Sequence, residues 1–478
     1  MNLPSRPSIS EMLDIKTMAI IGVSGNMGFY WAHSMSEWEH DIDLWFVALR
    51  GGQVLGREVI TDLSQIPKDI DYAIISVPSN HVASVLKQCS EKGAKGVTIF
   101  SSGFSELGTN EGIEKEKELQ SLALSLPTRV LGPNCMGITY PQIGVSFMPT
   151  VKRSIGNIGF LSQSGGVAIA TYSSGVESGL GFSKVFSFGN GIDVSPPEIL
   201  MHFKEDKSTE VIGAYIEGTR NGKVFYTSLH ELAEHKPVVV LKGGRSSEGS
   251  RAAASHTGAL AGSRSIWEAA LRQANVPVVT TIEEMVATLS IFSLCPKPKS
   301  NNVGIVAISG GTSVIYTDLC VENGLGVPRT SEEIVTKLDE LIHDVGTGLG
   351  NPIDLAADYY DDEIVRSVIS LAGQEKNFDS LILEADVHNM YQVASIMNAQ
   401  DMLGEYWKAM AKAGRAVMDK QRKPVLVAVP EVAYPEARNV AWRAFAESGL
   451  PVLRNMPEAI RALSRVWDYY RVHEHRSS

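Results

Sequence analysis

NIGFLSQSGG, residues 157 to 166, returns as NVGIVAISGG at residues 302 to 311. Each is an apolar run of strand length that enters a Ser-Gly-Gly turn and then a helical pattern. Two more pairs follow in the same order: KPVVVLKGG (236 to 244) with KPVLVAVPE (423 to 431), and PVVTTIEEMVATLS (277 to 290) with PVLRNMPEAIRALS (451 to 464). Three self-matches in fixed order mark a duplicated unit. Short apolar runs bounded by Gly, Pro or Asp and alternating with helical patterns indicate buried parallel strands. Two copies of one open α/β domain are therefore expected, at 146–295 and 300–478. CPKPKSNN (295 to 302) serves as the linker, because its prolines and polar residues stop both helix and strand.

Ahead of the repeat lie TMAIIG (17 to 22), LWFVAL (44 to 49), YAIISV (72 to 77) and VTIFSS (97 to 102), followed by LGPNCMG (131 to 137). They predict a first α/β domain at 1–145, and the length of 478 residues suits about three domains. Hydrophobic residues at 44 % and charged residues at 20 % are an ordinary globular balance. A formal charge of -11 opposes nucleic acid and anionic membranes, so any phosphate-bearing ligand needs a local site. No apolar run reaches the roughly 20 residues that span a bilayer, and the polar N-terminal stretch is not a secretion signal. Four scattered cysteines suggest reduced thiols in the cytoplasm, and the 11 histidines show no HxxH or HExxH spacing, so no metal site is expected.

Around the first turn, IIGVSGNMG, the residues Gly22, Ser24, Gly25, Asn26 and Gly28 form a candidate phosphate cradle at a helix start. The spacing is G-x-x-G-x-x-G rather than G-x-G-x-x-G, and a bare structural turn is the competing reading. The second strand ends VALRGG, with Arg50 in place of an acid that would hold an adenine ribose. A basic residue there suits a ribose carrying phosphate, as in NADP or CoA. Strand ends of an open parallel sheet line the ligand crevice. That rule adds Val77 and Pro78 of SVPSN, Ser101, Ser102, Gly103 and Phe104 of SSGFSE, and Asn134 of GPNCMG. The Pro-Asn turn serves equally well as a tight connection.

Both Ser-Gly-Gly turns place hydroxyls and glycines at a helix start, where phosphate or carboxylate can bind. The candidates are Ser162, Ser164, Gly165 and Gly166 in the first copy and Gly310 and Gly311 in the second; a plain helix cap is the alternative. Only the first copy carries GGRSSEGSRAAASHTGALAGS (243 to 263), a loop with one histidine, His256. Histidine is a nucleophile toward phosphoryl groups when neutral and oriented. Glu217 of YIEGT, at a strand end in the same copy, is a candidate to orient it.

Together GPNCMGI, SQSGGVA, YIEG, KPVVVLKGGRS and SRAAASHTGALAGS resemble the NDP-forming acyl-CoA synthetases, relatives of succinyl-CoA synthetase. The resemblance runs over nearly the whole chain. It implies an N-terminal Rossmann-like CoA-binding domain followed by two flavodoxin-like parallel α/β domains. It further implies that His256 is phosphorylated, that Glu217 supports it, and that Ser162, Ser164, Gly165 and Gly166 receive the phosphate. Acyl-CoA, ADP and phosphate would be interconverted with carboxylic acid, CoA and ATP. Relatives often carry Asn-Pro-Lys after the second strand, so Arg50 as a CoA contact departs from the pattern. No segment reads as an ATP-grasp domain, so Mg-ADP or Mg-ATP is expected on a separate beta subunit in an alpha2beta2 assembly. An NADP-dependent oxidoreductase and an acyl-CoA-sensing regulator with a decayed synthetase body are the alternatives.

Overall fold

In the computed structural model, which describes residues 6–23, 27–251, 263–342 and 348–477, the first apolar runs build a seven-stranded sheet. Its strands are β1 (Thr17–Ile21), β2 (Asp43–Val47), β3 (Gly52–Val54), β4 (Arg57–Ile60), β5 (Tyr72–Ile75), β6 (Gly96–Ile99) and β7 (Arg129–Leu131). They lie in the order β3-β4-β2-β1-β5-β6-β7, parallel except for the β3–β4 hairpin. Without β3 this is the Rossmann order, which reverses direction between β1 and β5. Those two strands and β6 are buried along their whole length, as continuous apolar runs require when helices cover both faces.

The second sheet contains β8 (Gly137–Thr139), β9 (Ile155–Ser162), β10 (Phe182–Ser187), β11 (Val211–Ile216), β12 (Val238–Lys242) and β13 (Val278–Val279). Its order is β13-β12-β11-β9-β10-β8. From β9 to β13 this is the flavodoxin order, reversing between β9 and β11. The added strand, β8, runs antiparallel to β10, with Ile138 opposite Phe186. It precedes the boundary expected at residue 145, so the second sheet begins earlier than the sequence suggested. A three-residue strand between two turns gives no periodic signal.

The third sheet has β14 (Val303–Ala307), β15 (Ile353–Asp354), β16 (Ser380–Glu384), β17 (Val425–Ala428) and β18 (Val452–Leu453) in the order β15-β14-β16-β17-β18, all parallel. It repeats the flavodoxin order.

By packing, the chain divides into one unit of residues 1–173 and 181–282 and another of 174–180 and 283–478. The helix Ile282–Leu294, expected to close the first copy at residue 295, therefore packs almost entirely with the second unit. There Phe292 meets the edges of Tyr469 and Tyr470 at 5.2 and 5.8 Å, and Glu284 pairs with Arg465 at 2.9 Å. Among the described residues no helix is long and apolar enough to cross a membrane, and no cluster of three His, Cys, Asp or Glu is placed to hold a metal.

Candidate active site in the first unit

At the direction reversal of the first sheet, the ends of β1 and β5 almost touch. Gly22 has φ +94°, and a Cβ there would lie 2.1 Å from the Ser76 carbonyl oxygen. Only glycine fits. Ser24, Gly25, Asn26 and His256 lie outside the described residues; Gly28 belongs to the helix Met27–Glu37 that follows the turn.

The turn after β7 reaches across to the second sheet. Asn134 takes the left-handed conformation at φ 56°, a region asparagine tolerates better than most residues. Its N–H donates to the Ser101 carbonyl at 3.0 Å, and its Nδ2 approaches Asn190 Oδ1 at 3.5 Å. Two residues on, Met136 lies over the start of the helix Gly165–Glu177, where a Cβ on Gly165 would come within 2.5 Å of Met136 Cγ.

A cavity of about 530 Å3 opens between these elements. Val77, Pro78, Ser101, Ser102 and Asn134 line it from the first domain, and Ser164, Gly165 and Gly166 from the second. Residues expected to meet two different ligands thus border one space. Cys135, Met136, Gln163 and Gly189 also line it and were not anticipated. Burial pushes the Cys135 thiol up to about 12, so it is no nucleophile at neutral pH.

Gly22, Arg50, Gly103, Phe104 and Ser162, also expected at the site, stand outside this lining. The Phe104 side chain is 1 % exposed and packs in the first domain's core. Ser162 is fully buried; its Oγ donates to the Ser164 carbonyl at 2.6 Å and accepts from the Ser164 N–H at 3.2 Å, which shapes the turn. Arg50 is exposed beyond β2 and does not line the cavity. Gly103 donates its N–H to Glu106 Oε1, and Glu106 Oε2 accepts from Asn190 Nδ2 at 2.8 Å, so this turn is braced against the second domain.

Glu217 follows β11 at the reversal point of the second sheet. It is 6 % exposed and accepts the Tyr215 hydroxyl on Oε1 at 3.0 Å, while Oε2 is buried with no hydrogen-bond partner among the described residues. Burial and the charge of Glu217 both push the Tyr215 phenol well above its usual range, which keeps it a donor. Lys242 ends β12 beside them. Its Nζ donates to the carbonyls of Glu217 and Gly243 and lies 5.0 Å from the Trp267 ring centroid. Burial lowers it to about 8, a shift opposed by the charge of Glu217. The segment that bears His256 leaves the sheet from this place: Gly243 donates to the Ile216 carbonyl at 3.0 Å, and a Cβ on it would sit 3.2 Å from Glu217 Cγ.

In the second unit, Gly310 and Gly311 open the helix Gly310–Glu322. Here the helix start faces carboxylates: a Cβ on Gly310 would lie 3.1 Å from Asp354 Oδ2, and Glu384 Oε2 takes the Ile308 N–H at 3.4 Å. Burial, with Asp386 and Asp354 nearby, pushes the Glu384 carboxyl up despite its 2.6 Å bond from Tyr316. A phosphate at that start would meet these acids.

Residues 16–141 match a family described as the CoA binding domain, and residues 155–292 one described as the succinyl-CoA ligase like flavodoxin domain. The chain is 31 % identical over 478 residues to the acetate–CoA ligase (ADP-forming) I subunit alpha of Pyrococcus furiosus, with 97 % of this chain and 98 % of that one covered. To the II subunit alpha of the same organism it is 35 % identical over 370 residues, covering 76 % and 79 %. The solved dinucleotide forming acetyl-coenzyme A synthetase 1 of Ca. Korarchaeum cryptofilum, in complex with phosphate and ADP, superimposes with a TM-score of 0.83 at 26 % identity, covering 98 % of both chains. A CoA-binding Rossmann-like domain leading into flavodoxin-like domains defines the succinyl-CoA synthetase-like superfamily. Within it, the chain belongs to the family of ADP-forming acid–CoA ligase alpha subunits.

Proposed function

We propose that this chain interconverts acyl-CoA, phosphate and ADP with carboxylic acid, CoA and ATP through an acyl phosphate and a phosphohistidine at His256. The observation that carries the reading is the shared cavity, bordered on one side by CoA-domain strand ends and on the other by the helix start at Gly165. CoA bound along Val77, Ser101 and Asn134 would bring its thioester to a phosphate held at Ser164, Gly165 and Gly166. A phosphate oxygen attacks the acyl carbon, the C–S bond breaks, and the thiolate leaves as CoA. A neutral His256 nitrogen then attacks phosphorus, and the carboxylic acid departs as carboxylate. Glu217 supports this step, because its side chain packs against Gly243 at the root of the His256 segment and its Oε2, without a partner among the described residues, suits the second ring N–H.

The phosphoryl group then passes to ADP. We assign Mg-ADP to a separate ATP-grasp beta subunit in an alpha2beta2 assembly, a reading supported by the subunit alpha relatives. Splitting one distant transfer into two local ones is what a covalent carrier achieves. Incubation of the chain with a series of acyl-CoAs and labelled phosphate tests the proposal. Acid-labile, base-stable label on the protein is expected, lost in His256→Asn, with ATP appearing only after the beta subunit is added. Label that persists in His256→Asn overturns the carrier assignment.

A further inference from the structure

Gln163 sits between the two serines of SQSGG and is 7 % exposed. Its Oε1 accepts two backbone N–H groups, from Glu217 at 2.9 Å and from Gly218 at 3.1 Å. Two donors on one oxygen fix the amide orientation, since the flipped form would press its NH2 group against both N–H groups. Nε2 then finds no acceptor among the described residues, yet Gln163 lines the cavity beside Ser164, Gly165 and Gly166. Nε2 therefore meets the solvent of the cavity, where an anionic oxygen can take the place of water as its acceptor. The second copy has Ile308 at the matching position, so the donor belongs to the first copy alone.

We infer that Gln163 is a phosphate-binding residue: its Nε2 donates to an oxygen of the phosphoryl group at the start of the helix Gly165–Glu177, while its Oε1 ties that contact to the backbone of Glu217. The inference rests on the reading of the cavity as the phosphate site. Anionic oxygen is the chemistry recognised, and the carboxylate of the acid shares it. Inorganic phosphate is the ligand assigned, because the helix start supplies several N–H groups at the same place.

Gln163→Glu makes a clean test. It keeps an acceptor for the Glu217 and Gly218 N–H groups but turns the cavity-facing donor into an acceptor. Calorimetry on the full chain saturated with CoA, titrated with inorganic phosphate and separately with acetate, reads the effect. Gln163→Glu should bind phosphate at least about 10-fold more weakly with CoA affinity unchanged. Gln163→Met, which loses both functions, should lose phosphate affinity and melt earlier. Phosphate binding by Gln163→Glu within about threefold of wild type, no phosphate binding by the wild type, or an effect on acetate alone overturns the inference. Labelling from acyl-CoA reports separately on the ligase reading: a chain that binds phosphate through Gln163 but never becomes labelled keeps the inference and loses the reading.

Discussion

Tyr215 donates its hydroxyl to Glu217 Oε1 at 3.0 Å from two residues earlier on the same strand end, while Oε2 of that buried carboxylate has no hydrogen-bond partner among the described residues. A carboxylate held by one oxygen in this way is suited to orienting a second group through the other. Glu217→Gln should keep the Tyr215 contact and lose the charge. Expected is labelling from acyl-CoA slowed roughly 10- to 100-fold, the size reported for losing a partner that orients a histidine, with CoA affinity unchanged. Rapid-quench measurement of the labelling rate checks this, and an unchanged rate would remove Glu217 from the mechanism.

Lys242 gives a pH dependence of definite sign. Its ammonium falls to about 8 in the folded chain from 10.5 when exposed. Between those values the unfolded chain holds the extra proton, so this group's contribution to stability rises with pH across the window. Below about 8 the cost of burying the charge is present in full. The melting temperature of wild type relative to Lys242→Met should therefore shift in favour of wild type between about pH 7.5 and pH 10. Scanning calorimetry at both values is the measurement, and a shift the other way contradicts the assignment.

Gly22→Ala should damage the first domain at its reversal point. The new methyl would stand 2.1 Å from the Ser76 carbonyl at a backbone angle that side chains rarely adopt. A loss of about 1–3 kcal/mol in denaturant unfolding is expected from the backbone strain, with more from the clash. CoA binding should weaken along with it, because Val77 and Pro78 of the adjoining turn line the cavity.

Asp193 holds the first and second sheets of the same unit in place. It takes Arg6 at 2.7 Å, Arg129 at 3.3 Å and the Val130 N–H at 2.7 Å, and its side chain is 2 % exposed. Asp193→Ala removes one of the two carboxylates that Arg129 holds, while Glu198 Oε2 stays with it at 2.7 Å. A cost of about 1–3 kcal/mol follows for the hydrogen bonds lost to a charged group, read as a lower unfolding midpoint.

The sheets were legible where apolar runs were long and their turns distinctive: TMAIIG became β1 and NIGFLSQSGG became β9 with its helix. The hairpin Gly52 to Ile60 was not read, because its glycines and the exposed Arg57 and Glu58 look like loop. The burial of the Phe104 and Ser162 side chains was not legible for one reason. A motif says that a turn lies at a strand end, but not which of its side chains turn inward. Gln163 escaped notice because its partners at 217 and 218 lie 54 and 55 residues away, beyond any local pattern. Packing, not sequence spacing, decides which sheet a short strand joins, as β8 shows.

The strand Gly137–Thr139 also bears on solubility and on where this chain can be cut. A fragment begun at residue 146 would lay bare the backbone of Val185 to Ser187, the row that β8 covers. Such an unpaired edge is a template for association with other chains. The seam between the sheets runs from Leu131 to Gly137, through the turn that carries Asn134 and Met136. No cut there spares the cavity, so exchanging one CoA-binding domain for another in this family would have to carry that turn and its edge strand along as one piece.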